Sequence, residues 1–153
     1  MADYSARAAV DIEAPLAVAW SVLTDFASYP TWNPFVHRID HEGPVGLGTL
    51  LHLQVRFSDG TRNAASEEVT LWRPPVAGRA QLDYRLTGRW PRFGLVRAQR
   101  SQRLSVRPDG GTRYETVEHM DGLLRHFMPM AEIRHGLQSM ADALARAACT
   151  RQR

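Results

Sequence analysis

Hydrophobic and polar residues alternate along most of the chain, and this alternation predicts strands. The first strand covers about 7–13, where Ala8, Val10 and Ile12 alternate with charged residues. The same period of two recurs in six further runs, which are separated by turn residues. These runs cover about 36–42, 51–57, 66–73, 79–87, 96–107 and 112–120. The pattern predicts seven strands joined as an antiparallel meander.

Two other segments have helical spacing. The first is short and follows Pro15, a residue that suits the first turn of a helix. The second begins near Pro129 and extends almost to the last residue, with apolar residues three and four apart: Met130, Ile133, Leu137, Met140, Leu144 and Ala147. A helix with one apolar stripe has to bury it, and the sheet is the only large surface available. The chain is therefore predicted to be an α+β protein with one curved sheet and a long C-terminal helix.

The composition is that of an ordinary globular protein. The chain has 153 residues, of which 44% are hydrophobic and 23% are charged. This length predicts one domain over 1–153. Its only cysteine, Cys149, excludes a disulfide within the chain. The first residues lack the features of a secretory signal, and no apolar run is long enough to span a membrane, so we expect a cytoplasmic protein.

The basic residues are unusual, because all nineteen are arginine and none is lysine. This excludes Schiff-base chemistry and a P-loop lysine. Eight arginines lie between Arg79 and Arg107 beside a single acid, so this segment could attract nucleic acid, an anionic membrane or an acidic ligand. However, no recognition helix or aromatic platform accompanies them, and no specific nucleic-acid binding is expected. Strand alternation instead predicts four solvent-exposed arginines, which are Arg85, Arg97, Arg103 and Arg107.

No metal or cofactor is predicted. His37 and His41 have the spacing of zinc ligands on a helix, but they fall in a predicted strand without a third ligand. The glycine-rich segment 43–48 lies between two strands, whereas a phosphate-binding loop precedes a helix. Cys149 has no neighbouring base, and no serine nucleophile motif occurs.

Several segments together resemble the START-like (SRPBCC) superfamily. They read IEAP at 12–15, VAWSVLTDF at 18–26, YPTWNPF at 29–35, GTRYETVE at 111–118 and GLL at 122–124. Within that superfamily they are most similar to the polyketide cyclase/dehydrase and lipid-transport branch. The resemblance implies a helix-grip fold, in which a seven-stranded antiparallel sheet wraps around the C-terminal helix and leaves a cavity for an apolar molecule. Many relatives carry histidines on the sixth and seventh strands, where this chain has Gln102 and Thr116.

Candidate pocket residues lie near the expected mouth and on the inward face of the sheet. The segment 32–35 leaves the short helices close to the mouth, and the loop 88–94 could be a lid or an exposed hairpin loop. The predicted ligand-binding residues are Trp32, Asn33, Phe35, Leu53, Tyr84, Trp90, Arg100, Gln102, Thr116, Glu118, Met120 and Ile133.

Four of these candidates form a polar group on the last two strands. The parity of Leu104 and Val106, and of Tyr114 and Met120, places the intervening polar residues inward: Arg100, Gln102, Thr116 and Glu118. One register puts Glu118 opposite Arg100, and the other puts it opposite Gln102. Because a buried carboxylate is costly unless paired, we expect Glu118 to meet one of them directly or through water. The group could be a structural ion pair or the polar end of a pocket.

The leading functional hypothesis is the binding of a hydrophobic or amphipathic small molecule, lipid-like or polyketide-like, between the sheet and the C-terminal helix. The alternative is a cyclase or dehydratase that uses inward acids for general acid–base catalysis. A third possibility is an interaction module that acts through the basic surface. The protein is expected to be a monomer or a homodimer.

Overall fold

The computed structural model describes residues 4–153. The strands are β1 (Ser5–Ile12), β2 (Val36–Asp40), β3 (Leu50–Arg56), β4 (Arg62–Val76), β5 (Arg79–Leu86), β6 (Arg97–Val106) and β7 (Thr112–Asp121). The α-helices are α1 (Leu16–Thr24), α2 (Tyr29–Trp32), α3 (Arg89–Arg92) and α4 (Met130–Gln152). Two short 3₁₀ turns cover Phe26–Ser28 and Arg125–Phe127. The predicted number of strands is confirmed, and so are their approximate bounds except for those of β4.

All seven strands form one antiparallel sheet in the order β1-β7-β6-β5-β4-β3-β2. The predicted meander is correct for β2 to β7, but it is wrong for β1, which pairs with β7 along its whole length. The helices α1 and α2 follow β1 and lead the chain to the opposite edge of the sheet, where β2 begins. The strands β1 and β2 are consecutive along the chain but therefore form the two opposite edges of the sheet.

The long helix α4 packs its predicted stripe against the sheet. Ile133, Leu137, Met140 and Leu144 are buried, and Met130 is partly buried against the same core. Their three- and four-residue spacing keeps them on one side of the helix. The curled sheet and the helix it holds make up the expected helix-grip fold.

Strand β4 is longer than predicted. It continues through Pro74 and Pro75 to Val76, and the chain turns at Ala77 and Gly78, which both have positive φ angles (51° and 77°). The prolines fit because the pairing with β5 is irregular between Arg73 and Val76, where their missing N–H groups are not needed. A second irregularity, between Val69 and Leu71, is of the kind that bends a strand and contributes to the curvature of the sheet.

The outer face of the sheet carries several arginines of the basic segment 79–107. Arg85, Arg97 and Arg103 are exposed as predicted, whereas Arg107 is half-buried and forms a 2.9 Å ion pair with Asp109. Val106 was expected to face inward with Leu104, but it is half-exposed because it is the last residue of β6 and lies beside the β4–β5 turn. Within residues 4–153, no helix is long and apolar enough to cross a membrane.

Candidate functional site

A cavity of about 410 Å³ lies between the inner face of the sheet and the first turns of α4. Its wall is mostly apolar, which is typical of small-molecule sites. Strands β3 to β7 and the residues around α3 supply most of the wall, and the segment between β7 and α4 completes it. The lining residues are Phe35, Val36, Leu53, Val55, Phe57, Asn63, Ala64, Ala65, Glu67, Tyr84, Leu86, Trp90, Val96, Ala98, Arg100, Glu118, Met120, Leu124, Phe127, Met128, Pro129 and Ile133.

Most of the predicted ligand-binding residues border this cavity. They are Phe35, Leu53, Tyr84, Trp90, Arg100, Glu118, Met120 and Ile133. Trp32 and Asn33 lie behind the wall: the Trp32 ring packs on Tyr29, with 4.9 Å between centroids. The Asn33 side-chain oxygen accepts hydrogen bonds of 3.0 Å from the backbone N–H groups of Phe35 and Val36, so Asn33 positions the start of β2.

Gln102 and Thr116 also lie outside the cavity, in a polar network below its floor. Arg100 donates to the hydroxyl oxygens of Thr116 (3.1 Å), Tyr84 (3.1 Å) and Tyr114 (3.2 Å). Tyr114 in turn donates to the side-chain oxygen of Gln102 at 2.6 Å. Every hydrogen-bond partner of the guanidinium is therefore a neutral group, since its remaining contact is the sulfur of Met140.

The pairing of β6 with β7 places Arg100 opposite Glu118 and Gln102 opposite Thr116, which is one of the two predicted registers. Both Arg100 and Glu118 are buried, as expected. Of the two predicted alternatives, a contact made directly or through water, the direct one is wrong, because no hydrogen bond or ion pair joins Glu118 to Arg100 or Gln102 within residues 4–153. The guanidinium turns toward the tyrosines instead, and Glu118 faces the cavity.

A second buried carboxyl group, which is not among the residues predicted from the sequence, borders the cavity. Glu67 on β4 pairs with Leu51 on β3 and with Leu86 on β5. It is 7% exposed, and Glu118 is 9% exposed. The signal was present in the strand parity, since Glu67 lies two residues before the buried Val69 and therefore faces the same side.

The electrostatics of the two carboxyl groups follow from burial and mutual proximity. Burial and the Glu118 carboxyl raise the pKa of Glu67 to about 8, against the opposing effect of Arg100. Burial raises the pKa of Glu118 to about 7, and Arg100 again acts in the opposite direction. Near neutral pH the pair therefore retains a proton, so it contains both a hydrogen-bond donor and an acceptor.

The mouth of the cavity is formed by segments that the period-two pattern did not cover. The backbone N–H groups of Leu123 and Leu124 donate to the carbonyl oxygens of Gly94 and Leu95, at 3.0 and 2.8 Å. These bonds join the α3 loop to the segment before α4. Trp90 (54% exposed) and Phe127 (80% exposed) border both the cavity and the solvent, so the loop 88–94 forms part of the rim.

Phe35 owes its position to a missing side chain on α4. A Cβ atom added to Gly136 would overlap the Phe35 ring, with 2.6 Å to its Cγ atom. The bare helix backbone therefore lets the ring lie against α4, while the ring also borders the cavity and contacts Phe57 at 5.9 Å between centroids. Phe35 is a predicted pocket residue, but no pattern in the sequence indicates its contact with Gly136.

Metal-ligating side chains do not cluster in the described part of the chain: over residues 4–153, no three His, Cys, Asp or Glu residues come together in a way that could hold an ion. His37 and His41, which have zinc-like spacing in sequence, lie on β2 and just after it.

The fold and cavity define a helix-grip protein whose apolar pocket has a polar floor. The family described as "Polyketide cyclase / dehydrase and lipid transport" matches residues 4–149, and the chain belongs to this family. None of the curated proteins matches the sequence closely enough to count as a relative.

Solved structures share this fold at low sequence identity. The ZhuI aromatase/cyclase from Streptomyces sp. R1128 is 18% identical, with a TM-score of 0.67 over 97% of this chain and 95% of that one. TTHA0849 from Thermus thermophilus is 16% identical, with a TM-score of 0.71 over 95% and 97% of the two chains. The hypothetical protein jhp0584 from Helicobacter pylori is 13% identical, with a TM-score of 0.73 over 94% and 86%.

Proposed function

We propose that this chain acts as one ligand-binding domain and holds a hydrophobic or amphipathic small molecule, lipid-like or polyketide-like, in the cavity beneath α4. The observation that carries this proposal is the cavity of about 410 Å³ with an apolar wall and two buried carboxyl groups at its polar end. This volume lies in the range of small-molecule sites.

The polar end of the cavity supports a binding role because its buried carboxyl groups do not stabilise the fold. Glu67 and Glu118 have no hydrogen-bond or ion-pair partner within residues 4–153, and burying such groups lowers stability. The neighbouring Gln102 and Thr116 show that this sheet can satisfy its buried polar groups where no cavity is present. Unpartnered groups that face an apolar cavity are suited to orienting the polar part of a ligand.

A dye-binding experiment tests the cavity directly. N-phenyl-1-naphthylamine is neutral at pH 7, and its fluorescence increases in an apolar site. We expect it to bind the wild type, and we expect Ile133→Trp, which fills the cavity, to weaken binding about tenfold or more. Arg134→Trp, one residue along and exposed, is the matched control and should bind like the wild type. Equal affinity in all three proteins would place the dye elsewhere and contradict the proposal.

A cyclase or dehydratase activity is the second candidate, and the shared proton of the carboxyl pair favours it. The carboxylate would take a proton from a carbon beside a carbonyl, while the protonated partner would donate to a departing hydroxyl, which leaves as water. Turnover of a linear polyketone, followed by mass spectrometry, tests this reaction. Activity that is lost in Glu118→Gln while dye binding persists would support an enzyme. A wild type that binds the dye without any turnover would leave binding as the function.

A further inference from the structure

The polar end of the cavity contains more acidic than basic groups. Two carboxyl groups, from Glu67 and Glu118, face it, and the only buried cation beside them among residues 4–153 is Arg100. With both carboxyls ionised, this group carries a net charge of −1. Since the space around it is apolar, water does little to screen that charge.

The arginine does not cancel the acidity toward a ligand, because its donors point into the floor. Its Nε and both terminal nitrogens are engaged by hydroxyl groups of Thr116, Tyr84 and Tyr114. The carboxyl groups, by contrast, have no hydrogen-bond partner among the described residues and border the cavity. A ligand therefore meets two carboxyl groups whose acceptor sites are free and a guanidinium in which four of the five N–H groups already have partners.

We propose that the cavity selects ligands that combine an apolar body with a protonated amine, which lies between Glu67 and Glu118, and that it disfavours ligands with a carboxylate head. This inference rests on the proposed binding function and specifies its ligand class. An ammonium group donates up to three hydrogen bonds and neutralises the net charge. A carboxylate would add a further negative charge beside this acidic pair in a poorly screened site.

The inference also predicts that amine binding releases a proton. Near pH 7 the carboxyl pair retains a proton, because burial raises the pKa of both groups. The charged and titratable side chains around the pair are Arg100 from β6, Tyr84 from β5, Tyr114 from β7 and Tyr29 from α2. Burial raises the pKa of each tyrosine, so the tyrosines stay neutral in this range, and the released proton has to come from the carboxyl pair.

Three ligands with the same decyl chain test the selectivity: decylamine, decanol and decanoate, each titrated against bound N-phenyl-1-naphthylamine at pH 7. We expect decylamine to displace the dye at a concentration about tenfold or more below that of decanoate, with decanol between them. Calorimetry in two buffers of different ionisation enthalpy should show roughly one proton released per decylamine at pH 7, less at pH 9, and none with decanol.

The variants Glu67→Gln and Glu118→Gln should each reduce the preference for decylamine over decanol by about tenfold, while the affinity for decanol changes little. Glu68→Gln is the matched control: it is adjacent to Glu67 on the opposite face of β4 and should keep the preference of the wild type. If a variant does not fold, the proton release by the wild type provides the same test.

The outcomes separate the two proposals. Decanoate binding as tightly as decylamine, or decylamine binding without proton release, would overturn the amine selectivity and leave the cavity as a binding site. Failure of the dye and of all three decyl ligands to bind would overturn the proposed function and the selectivity together.

Discussion

The two ends of the space between the sheet and α4 differ in how they are filled. At one end, Leu137, Met140 and Leu144 belong to the same hydrophobic core as Leu82 and Leu104, and all of these residues are fully buried. At the other end, α4 presents Ile133 to a cavity, and the carboxyl groups there lack partners among the described residues. The same helix and the same strands build both ends.

The boundary between the filled end and the cavity end lies within two residues along a strand. On β6 and β7, the inward pair Gln102 and Thr116 belongs to a closed hydrogen-bond network. The next inward pair is Arg100 and Glu118, in which Arg100 joins that network and Glu118 faces the cavity. Arg100 is thus the boundary between the end that stabilises the fold and the end that is available to a ligand.

Removing this boundary should have the largest effect. Arg100→Met would remove one hydrogen-bond donor from each of three buried hydroxyl groups and leave Glu118 without a nearby cation, and we expect a loss of about 3–5 kcal/mol in the free energy of unfolding. Urea denaturation measures it. Arg103→Met, exposed on the same strand, should change stability by less than about 0.5 kcal/mol. Similar losses in the two variants would show that the network is not a structural boundary.

The second largest effect is expected when an apolar side chain is truncated, and the loss of stability should differ between the filled end and the cavity end. Leu137→Ala should cost on the order of 2–5 kcal/mol, because it opens a new void in the filled end. Met120→Ala only enlarges an existing cavity, and we expect it to cost less than about 1.5 kcal/mol. Thermal unfolding of both variants provides the comparison. An equal loss in both would mean that the cavity end contributes to stability as much as the core does.

Removing a cavity carboxyl group should raise stability at alkaline pH. The pKa of Glu67 is higher in the folded protein than the usual value near 4.5, so the folded state binds its proton more tightly and wild-type stability falls as the pH rises from about 5 to 8. Glu67→Gln removes the contribution of Glu67 to this dependence and should be more stable than the wild type by roughly 1 kcal/mol or more at pH 9.

The measurement is urea denaturation of both proteins at pH 5, 7 and 9. Glu68→Gln, which is partly exposed and paired with Arg85, serves as the control for the loss of a surface charge. A difference between Glu67→Gln and the wild type that does not grow with pH would contradict the raised pKa.

The smallest expected change in stability concerns Gly136. Gly136→Ala gains about 1 kcal/mol of helix propensity, but its methyl group has to displace the Phe35 ring, which can move into the cavity. The net change should stay within about 1 kcal/mol, whereas dye binding should weaken severalfold. A large loss of stability with unchanged dye binding would show that the ring is held by the core rather than by the cavity.

The sequence predicted the fold well because its signals are local or periodic. Alternation identified the seven strands, and the α4 stripe identified its buried face. It could not predict that β1 pairs with β7, because that pairing is set by the path of the chain through α1 and α2. The length of β4 was also not predictable, because Pro74 and Pro75 indicate the end of a strand. The irregular pairing with β5 allows β4 to continue through them.

The candidate site could be predicted only in part. Parity gave the correct inward face for Arg100 and Glu118, and the same argument applied to β4 would have added Glu67. Parity cannot say which of two inward neighbours meets a cavity, so Gln102 and Thr116 were grouped with them although they lie below the floor. The rim residues, such as Phe127 and Met128, lie in a segment without periodicity and gave no signal.

The open sheet has two edges, and an exposed edge is a template on which another chain can add a strand and begin to aggregate. The β1 edge lies beside α4, where the side-chain amide of Gln138 donates to the backbone carbonyl of Ala9 at 3.1 Å. The opposite edge, β2, is five residues long and contacts α2. A strand added at β1 would have to displace Gln138 and part of α4. The helix that covers the cavity therefore also helps to keep the folded chain from polymerising through its backbone.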